Sequence, residues 1–119
     1  MHTYSFETLE AWQNSKEYVK IIYASTKQFP IHERYGLTLQ LTRAAVSVTC
    51  NIAEGNSKNS IKERIRYIDI AYGSLMETLS LLIISYELNY IKENEYQILR
   101  QLVDTISNKL NGLEKYLEK

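Results

Sequence analysis

A chain of 119 residues suits one domain, long enough to bury a core without disulfides or metals to brace it. Its 14 basic and 14 acidic residues cancel, so no overall field draws it to nucleic acid or an anionic membrane, and any such binding needs a local patch. The single cysteine, Cys50, excludes an internal disulfide, and no run reaches the ~18 uncharged apolar residues of a membrane span.

Four glycines and one proline leave few turns, which argues against a sheet of many short strands. The N-terminal MHTYSFETLEAW has neither a basic leader nor the apolar core of a signal peptide, so a cytoplasmic location is expected. A first helix is expected over about residues 6–28, where Leu9, Trp12, Val19, Ile22 and Tyr23 recur at helical spacing before the Phe29-Pro30 break. A second follows over about 32–54 and ends at Gly55, a natural left-handed C-cap. After the polar loop Asn56-Ser57-Lys58-Asn59, the run Ser60-Ile61-Lys62-Glu63 reads as a capping box opening a third helix.

That third helix, about 61–90, carries a heptad seam of Ile61, Ile65, Ile68, Tyr72, Leu75, Leu79, Leu82 and Tyr86. A fourth, about 94–118, repeats the pattern with Leu99, Leu102, Ile106, Leu110, Leu113 and Leu117. Short loops between long helices make sequential neighbours antiparallel, so the expected fold is all-α: an up-down-up-down four-helix bundle in a single domain, residues 1–119.

The second helix is unusual. From Leu37 to Ala53 its one charged residue is Arg43, although a surface helix normally wears charge on much of its circumference. On a helical wheel, Leu37, Leu41, Ala44, Ala45, Val48 and Ile52 form a broad apolar face. Leu39, Val46, Cys50 and Ala53 form a second, smaller one, and a polar stripe of Gln40, Arg43, Ser47, Asn51 and Glu54 runs between them. Two apolar faces imply two packing partners, the bundle core and a neighbouring subunit. Gly73, in mid-helix at a cost of ~1 kcal/mol relative to alanine, is expected to admit a close approach by Ala44, Ala45 and Ser47. Arg43 is expected to satisfy Glu54 or Glu77, or to pair with Asn51 and Ser74, across a helix or subunit boundary.

The run Gln40-Leu41-Thr42-Arg43-Ala44-Ala45-Val46-Ser47-Val48, with Asn51-Ile52-Ala53-Glu54-Gly55, resembles the signature of the four-helix-bundle proteins encoded in intervening sequences of bacterial 23S rRNA genes, the S23 ribosomal protein family. Phe29-Pro30, Glu33, Tyr35, Gly36 and Leu37 upstream match it, as do Tyr67, Ile70, Ala71, Gly73, Ser74, Leu75 and Glu77 downstream. The resemblance implies a homopentameric ring of bundles. The chain is also similar to the accessory variability protein of diversity-generating retroelements, a basic pentamer that works with a reverse transcriptase and nucleic acid. It departs from the family pattern at Thr49, often proline, and at Lys58, often arginine, where a bidentate guanidinium is lost.

Catalytic readings find little support. A ferritin-type di-iron site needs Glu-x-x-His pairs, and none is present. His2 and His32 have no partners at metal-ligand spacing, and Cys50 has no histidine on its helix to act as a base. Glu54 and Glu77 read as cross-linking carboxylates, because no nucleophile, oxyanion donor or phosphate loop accompanies them.

The best nucleic-acid candidate is the cluster Lys58, Lys62, Arg64 and Arg66, opposed only by Glu63 and repeated once per subunit in a ring. Tyr23, Tyr67, Tyr72 and Tyr86 lie in or beside the apolar seams and read as packing residues rather than base-stacking platforms. The expectation is a non-enzymatic cytoplasmic scaffold or adaptor without cofactor, metal or membrane. Its expected partners are itself and an unidentified protein; the alternative is an accessory protein that binds RNA or DNA.

Overall fold

A computed structural model describes residues 1–119. It contains four α-helices and no strand: α1 Glu10–Thr26, α2 Leu37–Asn56, α3 Ile61–Glu87 and α4 Glu93–Glu118. Short 3-10 turns, Ser5–Thr8 and Ile31–Glu33, precede α1 and α2. Each helix packs against two others in the cyclic order α1, α2, α3, α4. The molecule measures 44 × 30 × 21 Å, its long axis close to the ~40 Å that the 27 residues of α3 span.

Direction follows from the contacts. Ser47 meets Ser74, and Gly55 lies against Tyr67, so numbers rise along α2 as they fall along α3. Tyr86 stacks on Tyr96 while Asp69 meets Glu114, which makes α3 and α4 antiparallel too. Leu9 and Ile52 share a cavity at one end of the bundle, and the α1–α2 connection lies at the other.

The expected apolar faces of α2 and α4 line the core, whereas in α1 and α3 the buried face is rotated from the expected one. In α1 it is Ala11, Ser15, Tyr18, Ile22, Ser25 and Thr26 that are buried, whereas Tyr23 is 48% exposed. In α3 the buried positions are Ile68, Ala71, Leu75, Thr78, Leu82 and Ser85, with Leu81 beside them. The heptad therefore alternates a large aliphatic with a small or hydroxylated residue, while Ile61, Tyr72, Leu79 and Tyr86 sit at its edges or outside it. Small residues are needed because Tyr18 crosses the core: its hydroxyl donates to Thr78 Oγ1 at 2.8 Å, and Thr78 in turn donates to the Leu75 carbonyl at 2.6 Å. Burial pushes the Tyr18 phenol far above the ordinary tyrosine range, against the smaller opposing effect of its bond to Thr78.

Helix ends correct several expectations. Leu9 is extended (φ −73°, ψ 127°), so α1 begins at Glu10 rather than at residue 6. Pro30 and the 3-10 turn after it delay α2 to Leu37, where the Glu33 carboxylate accepts the Leu37 N–H at 3.2 Å. Gly55 is not a left-handed cap: α2 runs on to Asn56, and no glycine has positive φ. Gly55 is instead a contact position, because a Cβ there would stand 2.6 Å from Tyr67 Cβ. At Ser60 the hydroxyl accepts the Glu63 N–H at 3.1 Å, while the Glu63 carboxylate pairs with Arg66 at 3.6 Å instead of closing the capping box.

α3 ends at Glu87, three residues early, in a Schellman motif. Tyr90 N–H reaches Ser85 O, Asn89 N–H reaches Tyr86 O, and Asn89 takes φ 65°. α2 passes unbroken through Thr49, whose hydroxyl donates to Val46 O. One exclusion also changes: α3 is long and apolar enough by composition to cross a membrane, with mean hydropathy 1.4 over 18 residues. In the bundle, part of that apolar surface is spent on the core.

Candidate assembly face and basic loop

The two apolar faces of α2 meet different surroundings. Leu41, Ala44, Ala45, Val48 and Ile52 are buried and Leu37 is half-buried. Leu39, Val46 and Ala53 are half-buried and Cys50 is exposed, on the side away from the core. The stripe between them divides. Ser47 and Ser74 share a hydrogen bond of 2.9 Å, and Asn51 Nδ2 donates to both the carbonyl and the hydroxyl of Ser47, at 2.8 and 3.0 Å. This trio is a polar seam joining α2 to α3.

Gln40, Arg43, Glu54 and Glu77 are exposed. Arg43, Glu54 and Glu77 take part in none of the chain's four ion pairs. The expected pairing of Arg43 with Glu54, Glu77, Asn51 or Ser74 is therefore absent within the chain, since the serines and Asn51 satisfy one another. The antiparallel register of Ser47 with Ser74 puts Arg43 about level with Glu77.

Gly73 also departs from expectation. It is exposed, and a Cβ built on it meets nothing within 4 Å, so α2 does not approach it. The rotation of α3 that brings Ser74 to Ser47 turns the preceding residue outward. Gly73 belongs to an exposed row at steps of three and four, Ile70, Gly73, Glu77, Ser80 and Ile84. Ile70 and Glu77 flank Ser74, so this row borders the α2 seam. The outer surface shared by the two helices is an apolar strip bearing one cation and two anions, all without partners.

The basic cluster is divided as well. Lys62 and Arg66 are exposed, and Arg66 is paired with Glu63. Lys58 Nζ and the Arg66 guanidinium stand over the Tyr67 ring, at 5.1 and 5.5 Å from its centroid. Arg64 lies apart, half-buried, its Nε donating to the Lys58 carbonyl at 2.7 Å, and it lines a cavity at the bundle end. No group of three or more His, Cys, Asp or Glu side chains is placed to hold a metal. His32 lies 4.0 Å from Glu33, and His2 packs against the Tyr4 ring.

Two polar features escaped the sequence reading. Glu33 bridges two loops, accepting the Leu37 N–H through Oε1 and the Tyr90 hydroxyl through Oε2 at 3.2 Å. Partial burial, then the Glu33 carboxylate, raises the Tyr90 phenol above its usual range. Asp69 and Glu114 face each other between α3 and α4. Desolvation, then the hydrogen bond and negative charge of Asp69, raise the Glu114 carboxyl. Neither pair has a sequence signal beyond its position on a helix or loop, because each is made by register between separate elements.

Among curated proteins, none matches the chain. Among solved structures, a protein of unknown function from the S23 ribosomal protein family of Bacteroides thetaiotaomicron superposes with a TM-score of 0.77. The match has 22% sequence identity and covers 88% of this chain and 98% of that one. The family model described as 23S rRNA-intervening sequence protein matches residues 7–112. By that match, which takes in α1 to α3 and most of α4, the chain belongs to the 23S rRNA-intervening sequence protein family.

Proposed function

We propose that the protein is a non-enzymatic scaffold or adaptor that works as a ring of identical chains, five by family resemblance, joined through the outer face of α2 and α3. One observation carries the reading. Leu39, Val46, Ala53, Ile70 and Ile84 form an apolar strip at least partly open to solvent, beside Arg43, Glu54 and Glu77, which have no partners in the single chain. A ring closes through a heterologous contact, in which one part of this surface on each copy meets a different part on the next, so that the strip is covered and Arg43 of one copy faces a carboxylate of its neighbour. Sedimentation equilibrium of the wild type and of Val46→Glu tests this: the wild type sediments as an oligomer and the variant as a single chain.

A second reading, binding of RNA or DNA, is favoured by one feature, Tyr67 flanked by Lys58 and Arg66. A ring repeats that group once per subunit, so weak single contacts combine. Salt-dependent retention on immobilised RNA, lost in Lys58→Glu/Arg66→Glu, distinguishes it from protein-only assembly.

A further inference from the structure

The bundle end where Leu9, the last turns of α2 and α4 and the first turns of α3 converge holds a cavity of about 130 Å³. Six of its nine lining residues are hydrophobic, among them Ile52, Ile68, Leu113 and Leu117. Its one charged residue is Arg64. No carboxylate lies within 4.0 Å of that guanidinium. The Arg64 Nε is held by the Lys58 carbonyl at 2.7 Å, which fixes the plane of the fork and leaves its terminal nitrogens without a protein acceptor. Tight packing normally fills such a space, and a cavity of ~150 Å³ with apolar walls accepts a benzene-sized guest.

From this cavity and its cation we infer that the bundle end binds a small carboxylate with an apolar tail of about five or six carbons, such as a short-chain fatty acid or an aryl carboxylate. The tail lies between Ile68 and Leu113, and the carboxylate accepts from the free edge of the Arg64 guanidinium, the arrangement in which arginine binds carboxylates most strongly. Asn56, on the same lining, offers a further polar contact. The site is complete within one chain, so it is independent of ring assembly.

The test is titration of the full chain with hexanoate, followed by backbone amide spectra, with hexanol and hexylamine as matched probes. Hexanoate is expected to shift the amides around Asn56, Arg64, Ile68 and Leu113 saturably, with a Kd on the order of 1 mM or tighter for eight heavy atoms. Hexanol binds about tenfold more weakly, and hexylamine more weakly still. Arg64→Gln reduces hexanoate to the level of hexanol while hexanol is unaffected, which also shows that the variant folds. Leu113→Phe, at a half-buried position, narrows the cavity and weakens both. Absence of saturable shifts at these residues, equal affinity for hexylamine, or undiminished hexanoate binding in either variant overturns the proposal.

Discussion

Tyr18 and Thr78 lie sixty residues apart in sequence and join across the bundle interior through a 2.8 Å hydrogen bond in which the phenol donates. Both side chains are fully buried. Thr78 Oγ1 also donates to Leu75 O, so the hydroxyl depends on Tyr18 for nothing it must donate, whereas the phenol has Thr78 as its acceptor. Tyr18→Phe is therefore expected to cost about 1 kcal/mol, and Thr78→Val more, about 2–3 kcal/mol, because it strands a buried donor. The double variant should be more stable than Thr78→Val alone. Urea unfolding of the three variants measures the order.

Gly55 and Gly73 make a contrasting pair. Gly55→Ala forces a Cβ into Tyr67 Cβ at 2.6 Å and requires α2 and α3 to separate, with an expected loss of at least about 2 kcal/mol. Gly73→Ala enters open space in mid-helix and should stabilise the single chain by about 0.5–1 kcal/mol. Thermal unfolding in dilute solution gives both signs, and a Gly73→Ala variant that is more stable yet assembles less well would place Gly73 in the contact between copies.

The Asp69–Glu114 pair predicts a pH effect of defined sign. The Glu114 carboxyl is raised in the fold, so its contribution favours the folded state at acidic pH and is lost as pH rises through the raised folded value. At neutral pH the two carboxylates repel. Glu114→Gln should raise Tm at pH 7 by about 1–3 °C and have a smaller effect near pH 4. Calorimetry of both proteins across that interval checks it.

Element type was legible in the sequence because helical periodicity and scarce glycine and proline leave little else for a chain this apolar. Ser60 marked the start of α3 correctly through its hydroxyl. Rotation was less legible. In α1 the face centred on Tyr18 includes Ser15 and Ser25, polar letters that an apolar count passes over, and Tyr23 looked like core because tyrosine serves both environments. Gly55 was misread for a related reason: a glycine near a helix end fits a left-handed cap and a helix crossing equally well, and Tyr67 decides between them only in three dimensions. In the basic cluster, linear proximity hid the fact that Arg64 faces a different surface from Lys62 and Arg66.

Arg43 has no carboxylate partner inside the chain, so its removal should leave the bundle nearly unaffected, with a change in unfolding free energy within about 0.5 kcal/mol. Its effect is expected in assembly instead. Arg43→Ala is expected to shift the oligomer towards smaller species in size-exclusion chromatography with light scattering, and Arg43→Glu more strongly, since it adds a third anion beside Glu54 and Glu77.

Self-assembly through the α2–α3 face is tested most directly by native mass spectrometry of the purified chain at micromolar concentration. The expected species is a single closed oligomer, for a ring of five about 70 kDa from chains of 13.9 kDa each, that collapses to one chain in Val46→Glu. A wild-type spectrum containing only the 13.9 kDa chain, or an oligomer that Val46→Glu leaves intact, is incompatible with assembly through this surface.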